Sequence, residues 1–145
     1  MKTVDFIIWG ERETFFIELK DPEHSRAPDE RRSDFVRKLS NGQLDSELAQ
    51  KFRDSILYCW LSGRLPFQSK NIIHYAVILG LTGFDSSLFL RRMEGLSAKL
   101  PVNGPNNLPW ANPWVTTCTV HSIEGWNRRF PQFRITRQPP SPKAP

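Results

Sequence analysis

Apolar and polar residues form two short strand-like segments near the start of the chain, residues 4–9 and 14–20. Both are rich in β-branched and aromatic residues, and the polar connection between them begins at Gly10, a pattern typical of a β-hairpin over residues 4–20. Pairing of Trp9 with Thr14 then determines which side chains of the second strand share a face of the sheet. The apolar ones on one face are Phe15, Ile17 and Leu19.

The spacing of apolar residues then changes to three and four, which predicts an amphipathic helix over residues 43–63. Asn41 or Asp45 is suited to cap the start of this helix, and Gly63 followed by Pro66 is expected to end it. The predicted apolar stripe comprises Leu44, Leu48, Phe52, Ile56, Leu57, Trp60 and Leu61.

An uninterrupted apolar run over residues 71–81 predicts a central strand that is covered on both faces. Residues 85–100 predict a second amphipathic helix, with Asp85 or Ser86 as its cap. Three shorter elements complete the pattern: a strand over residues 115–120, a helical turn from residue 122 to 127, and an edge strand over residues 133–136. The order of elements predicts an α/β fold, a mixed sheet flanked by helices, in a single domain over residues 1–137.

Two segments lack this regular patterning. Residues 21–41 combine prolines and basic residues with few apolar ones, which predicts a mobile loop with at most one helical turn. Such a loop could act as a basic flap over a phosphate backbone, or it could be an ordinary solvated loop. Residues 138–145 are Pro-rich and are expected to be disordered. The basic residues considered for contact with nucleic acid are Arg26, Arg31, Arg32, Lys38, Arg91 and Arg92.

Composition narrows the class of protein. The chain has 145 residues, enough for one domain, and its net charge of +5 favours a polyanionic partner without identifying it. Cys59 and Cys118 lack CxxC-type spacing, so we expect buried or free thiols of a reducing compartment. The three histidines are scattered, which argues against a zinc site. Neither a signal peptide nor an apolar run of transmembrane length is visible, so we expect a cytoplasmic protein without a membrane partner.

The hairpin register also brings charged side chains together. Asp5 falls opposite Glu18, and Lys20 lies on the same face of the sheet. Because opposed like charges destabilise a sheet, a positive group is expected between the carboxylates: Lys20 itself, or Mg²⁺, which one or two carboxylates typically hold. A solvated hairpin edge with a local ion pair explains the same pattern. On the following helix, Gln50 or Lys51 is the residue best placed to face these carboxylates.

Asp5, a twelve-residue gap and then Glu18-Leu19-Lys20 at the end of a hydrophobic strand resembles the D…(D/E)xK motif of the PD-(D/E)xK nuclease superfamily, which has the restriction-endonuclease-like fold. The order of hairpin, helix, central strand and helix agrees with that family over about residues 4–81. The resemblance implies an Mg²⁺-dependent endonuclease or exonuclease acting on DNA, with Mn²⁺ as a substitute. Asp5, Glu18 and the Leu19 carbonyl would hold the metal, and Lys20 would position or activate the attacking water.

The resemblance is incomplete at its start. The residue before Asp5 is Val4 rather than proline, and the family places a helix and a strand ahead of this aspartate. We therefore expect a piece of a longer protein, a fold that lacks those elements, or a homodimer or larger assembly that completes it. Two alternatives stay open: a catalytically silent nuclease-like module that binds nucleic acid or a partner protein, and an unrelated α/β domain whose hairpin charges are incidental.

Overall fold

A computed structural model describes residues 1–64, 71–139 and 142 of the chain. Its strands are β1 (Phe6–Trp9), β2 (Glu13–Lys20), β3 (Ile72–Leu79) and β4 (Thr117–Ser122). Its helices are α1 (Asp29–Asn41), α2 (Gln43–Leu61), α3 (Ser86–Ser97) and α4 (Ile123–Arg129), with 3-10 turns at Pro105–Asn107 and Pro131–Phe133. None of the helices in this part of the chain has the combination of length and apolar character needed to cross a bilayer.

The predicted hairpin is confirmed together with its register. β1 and β2 are antiparallel, Trp9 pairs with Thr14, and Phe6 pairs with Ile17. The turn closes at Gly10, whose amide donates a hydrogen bond to the Glu13 carbonyl at 2.9 Å. One further step along this register places Asp5, the residue before β1, opposite Glu18.

The remaining strand pairs are parallel, and the order in the sheet is β1-β2-β3-β4. Parallel neighbours need long crossover connections, which α1 and α2 supply between β2 and β3, and α3 supplies between β3 and β4. The predicted helix over 43–63, strand over 71–81 and helix over 85–100 correspond to α2, β3 and α3, with shorter ends. Asp85 caps α3 by accepting a hydrogen bond from the Ser87 amide at 3.2 Å. The general α/β class is thus confirmed.

The two faces of the sheet carry separate hydrophobic clusters, because strand side chains alternate between the faces. On one face, the rings of Phe16 and Tyr75 lie 5.4 Å and 4.8 Å from that of Phe52 in α2, measured between centroids. On the other face, Phe15 and its neighbours pack around Trp126 of α4, which is fully buried. β3 is therefore covered on both sides, as its apolar sequence predicted.

The prediction of a loop over residues 21–41 was wrong in its second half, which forms α1. Charged residues dominate this helix and obscure its narrow apolar stripe, in which Leu39 is fully buried and Phe35 packs against the core. Asp34 forms ion pairs with Arg37 and Lys38 at helical spacing, and such pairs favour a helix over a solvated loop.

The stripe predicted for α2 was right only in part. Leu57, Trp60 and Leu61 are exposed by 45%, 59% and 73%, because the buried face follows a slightly different phase that includes Ser55 and Cys59. Neither predicted cap holds, because Gly42 is the N-cap of α2. Asn41 ends α1 and accepts a hydrogen bond from the Gln43 amide, and Asp45 is buried against α3. Pro66, expected to end α2, lies outside the described residues.

The edge strand predicted over residues 133–136 is absent from the described part of the chain. Phe133 ends a 3-10 turn, and Ile135 bonds through its backbone amide and carbonyl to the side chain of Asn127 instead of to a neighbouring strand. A side chain thus satisfies the polar groups that a strand ladder would have used. The predicted disorder of residues 138–145 falls largely outside the described residues.

Candidate active site

Glu18 is the centre of the candidate site. It lies near the carboxyl end of β2, on the face that packs against α2, and its side chain is fully buried. Its Oε1 atom forms ion pairs with two ammonium groups, Lys20 Nζ at 2.7 Å and Lys51 Nζ at 2.5 Å, and the second contact is also a hydrogen bond. Because a buried carboxylate is costly without opposite charge nearby, these two lysines make the ionised form of Glu18 tenable.

The second oxygen of this carboxylate, Glu18 Oε2, has no hydrogen-bond partner among the described residues, although it is buried. Buried polar atoms in folded proteins are nearly always bonded, and an unsatisfied one costs about 1–3 kcal/mol. An exception of this kind calls for an explanation, and a role as a ligand of a divalent cation is one that suits a carboxylate oxygen.

The segment that precedes β1 places Asp5 opposite Glu18 in the hairpin register. The amide of Lys2 donates to Asp54 Oδ2 and that of Val4 donates to Ser55 Oγ, each at 2.8 Å, so α2 anchors the segment on both sides of Thr3. Asp5 Oδ2 in turn accepts a hydrogen bond from the Leu19 amide at 2.9 Å.

This hydrogen bond also defines the orientation of the Leu19 carbonyl. The amide and the carbonyl of one strand residue point to the same side of the strand, so the Leu19 carbonyl is directed toward the side of β2 on which Asp5 lies. The residues predicted to supply two carboxylates and one carbonyl therefore occupy consecutive positions of one strand and the position opposite them.

Lys51 joins the site from α2, as one of the two residues predicted to face the hairpin. Partial burial lowers its pKa, but the hydrogen bond and negative charge of Glu18, with a smaller contribution from Asp5, outweigh burial and leave that pKa raised. Lys51 is therefore a permanent cation at neutral pH. The other candidate, Gln50, instead donates to Asp54 Oδ1 at 2.7 Å and does not contact Glu18.

No group of three or more His, Cys, Asp or Glu side chains within the described residues could hold a metal ion. The predicted ligands at Glu18 fall outside that definition, because they comprise only two side chains, Asp5 and Glu18, and the backbone carbonyl of Leu19. Mg²⁺ is compatible with such a set because it is commonly held by one or two carboxylates and keeps several waters. The suitability of these ligands for Mg²⁺ depends on one observation, that Glu18 Oε2 has no partner among the described residues.

The basic residues predicted to contact nucleic acid fall into different environments. Arg31 and Lys38 line a groove of about 480 Å³ that also contains Lys20, so α1 brings them to the candidate site. Lys38 bonds to Glu47 at 3.0 Å, and Arg32 pairs with Glu23 at 3.2 Å.

The other basic candidates do not line this groove. Arg26 and Arg91 are exposed. Arg92 donates to the buried Asp45 at 3.1 Å between α3 and α2, a structural placement that does not suit the predicted contact with nucleic acid.

Two features of the site could not have been found from local patterns. Arg137 binds both oxygens of Asp21, the residue after Lys20, at 2.6 Å and 2.8 Å, although 116 positions separate the two residues. Lys2 lines a cavity of about 380 Å³ together with Lys20 and Lys51. The sequence carries no signal for either contact beyond the presence of charged residues.

No protein-family model matches this chain, and no curated protein or solved structure is significantly similar to it. The resemblance to PD-(D/E)xK nucleases therefore stays a prediction, and it depends on Asp5, Glu18 and Lys20 themselves.

Proposed function

We propose that this chain is a metal-dependent nuclease that hydrolyses phosphodiester bonds of nucleic acid, with DNA as the expected substrate. The observation that carries the proposal is the fully buried Glu18 carboxylate, which has one oxygen held by two lysines and one oxygen without a partner among the described residues. A buried carboxylate with one oxygen free, near the end of a strand and opposite Asp5, is suited to bind a divalent cation.

Asp5, Glu18 and the Leu19 carbonyl would hold the Mg²⁺ ion. When bound, this ion would neutralise phosphoryl charge and lower the pKa of a water molecule. Lys20 is 32% exposed, so its ammonium can hydrogen-bond a water or a phosphate oxygen while it stays near Glu18. A fixed cation at that place stabilises the negative charge that develops as the phosphodiester bond breaks.

Lys51 is a positioning residue in this scheme. Its ammonium bonds to Glu18 and orients the carboxylate from the side of α2, and the pKa of Lys51 is raised so that it stays charged. Arg31 and Lys38, which line the groove beside Lys20, are suited to bind the phosphate backbone on either side of the reacting group.

The second candidate function is a nuclease-like module that binds nucleic acid or a partner protein without cleaving it. The charges of Lys20 and Lys51 already balance those of Asp5 and Glu18, so the site is neutral without any metal. Such a module should bind nucleic acid equally well in the presence of a chelator.

The deciding experiment measures cleavage of single- and double-stranded DNA with Mn²⁺ by the wild type, Glu18→Gln and Lys20→Ala. Glu13→Gln is the matched control, because Glu13 lies on the same strand at the opposite end and is exposed. We expect activity in the wild type and the control and at least a hundredfold loss in both site variants. Calorimetry should show weaker Mn²⁺ binding in Glu18→Gln. A folded wild type that binds DNA without cleaving it would favour the binding module.

A further inference from the structure

A groove of about 760 Å³ lies beside the candidate site, at the carboxyl ends of the parallel strands β3 and β4. One wall is the loop that follows β3, with the first turns of α3, and the other wall combines α4 with residues 134–137. The carboxyl ends of parallel strands are where open α/β sheets commonly bind ligands.

Contacts between neighbouring segments join this groove to the end of the strand that carries Glu18 and Lys20. Gly80, which lines the groove, donates its amide to the Lys20 carbonyl at 2.7 Å. Arg137, on the opposite wall, binds both oxygens of Asp21 and the Gly80 carbonyl. Neighbouring β-strands lie about 5 Å apart, so nucleic acid that binds at Lys20 can extend over this short distance into the groove.

Arg134 lies in this wall on a backbone that is fixed on both sides. Trp126 Nε1 donates to the Phe133 carbonyl at 2.8 Å, and Asn127 exchanges two hydrogen bonds with the backbone of Ile135, at 2.7 and 2.8 Å. The guanidinium of Arg134 is exposed and makes neither an ion pair nor a hydrogen bond within the described residues. An unpaired cation in a fixed position is suited to bind an anionic group.

The residues that line the groove indicate which class of ligand it can bind. Leu81, Phe84, Phe89 and Ile123 give the groove an apolar surface, and both phenylalanines are partly exposed. A duplex has its bases stacked inside and presents phosphates outward, so it gains little from an apolar groove. An unpaired base can leave the solvent and contact aromatic side chains while its phosphate binds an arginine.

We propose that this groove binds an unpaired nucleotide of the strand whose phosphodiester group lies at Lys20, so that the substrate is single-stranded nucleic acid. Arg134 binds the phosphate of that nucleotide, and Phe84 and Phe89 contact its base. The proposal rests on the proposed function for the position of the reacting phosphate, whereas binding in the groove requires no cleavage.

The first test measures binding of the full chain in chelator to a fluorescent single-stranded oligodeoxynucleotide and to a blunt duplex of equal length. We expect the single strand to bind at least about tenfold more tightly, the effect of one stacked base. Equal affinity, or tighter binding of the duplex, would overturn the proposal. A single-stranded RNA of the same sequence that binds more tightly than the DNA would support the groove and assign RNA to it.

The second test localises the binding. Arg134→Gln should weaken single-strand binding severalfold and reduce the slope of log K against log salt by about 0.7, the loss of one phosphate contact. Arg12→Gln removes the same charge at the hairpin turn, at the opposite end of the sheet, and should change affinity less. Equal effects of the two substitutions would overturn the assignment to the groove. Single-strand preference and Arg134 dependence without cleavage would keep this proposal and refute the nuclease.

Discussion

Glu18 Oε1 accepts a hydrogen bond from Lys51 Nζ at 2.5 Å, while Glu18 Oε2 is buried without a partner among the described residues. The pair joins the end of β2 to the middle of α2. Buried polar atoms are normally bonded, so the unpartnered oxygen costs stability. Asp45 has the same asymmetry in its pair with Arg92, but Glu18 lies near a strand end between two lysines and opposite Asp5, where a binding role can offset this cost.

This interpretation predicts that Glu18→Met is as stable as the wild type, or more stable by about 1–2 kcal/mol. Met fills a similar volume without a buried charge, and Lys20 and Lys51 are 32% and 21% exposed, so their ammonium groups can turn toward water. Urea unfolding followed by circular dichroism measures the difference. Glu13→Met, on the exposed start of the same strand, should change stability by less than about 0.5 kcal/mol. A large loss in Glu18→Met alone would mean that the carboxylate is structural.

The raised pKa of Lys51 predicts a loss of stability in alkali. The folded state binds this proton more tightly than the unfolded state, so the ion pair contributes its full stability below the ordinary lysine pKa of 10.5. That contribution disappears as the pH rises through the higher pKa of the folded state. The difference in unfolding free energy between wild type and Lys51→Met should therefore shrink above pH 10.5. A difference between wild type and Lys51→Met that stays constant through this pH range would contradict the prediction.

Local patterns were enough to predict most of the fold and the centre of the candidate site. The register from Trp9 to Thr14 depends on the turn alone, and period-two alternation then places Asp5, Glu18 and Lys20. On α2, the pattern of polar residues favoured two candidates to face this site, Gln50 and Lys51. Lys51 is the one that contacts Glu18. The hairpin inferences succeed because each depends on residues that are close in sequence.

The remaining features depend on tertiary contacts that local patterns do not encode. α1 was missed because its stability comes from ion pairs and from one stripe buried against the core, around Leu39. Asp45 was considered as a helix cap, because an aspartate near a helix start usually faces solvent. It pairs instead with Arg92, and burial raises its pKa while Arg92 partly offsets this effect.

The Asp45 environment makes Gly95 a sensitive position. In an exposed helix, Gly→Ala usually stabilises by about 1 kcal/mol. A Cβ atom on Gly95 of α3 would instead lie 2.4 Å from Asp45 Oδ2, so Gly95→Ala should destabilise the protein by about 1–3 kcal/mol. Thermal unfolding would measure the change. Adding Asp45→Ala removes the clashing atom, so the double variant should lose less stability than the sum of the single variants. Strict additivity would rule out the close contact.

Arg137 fixes the segment that carries Arg134, through two hydrogen bonds to Asp21 and one to the Gly80 carbonyl at 2.9 Å. Lysine keeps the charge but cannot reproduce this planar bidentate contact, so Arg137→Lys should loosen the segment. We expect faster hydrogen exchange in a peptide that covers residues 131–137, with little change in the exchange of β3. Arg134→Lys is the matched control, because the Arg134 guanidinium has no partner within the described residues, and it should leave exchange unchanged. If the two variants exchange alike, the Asp21 contact does not hold this wall of the groove.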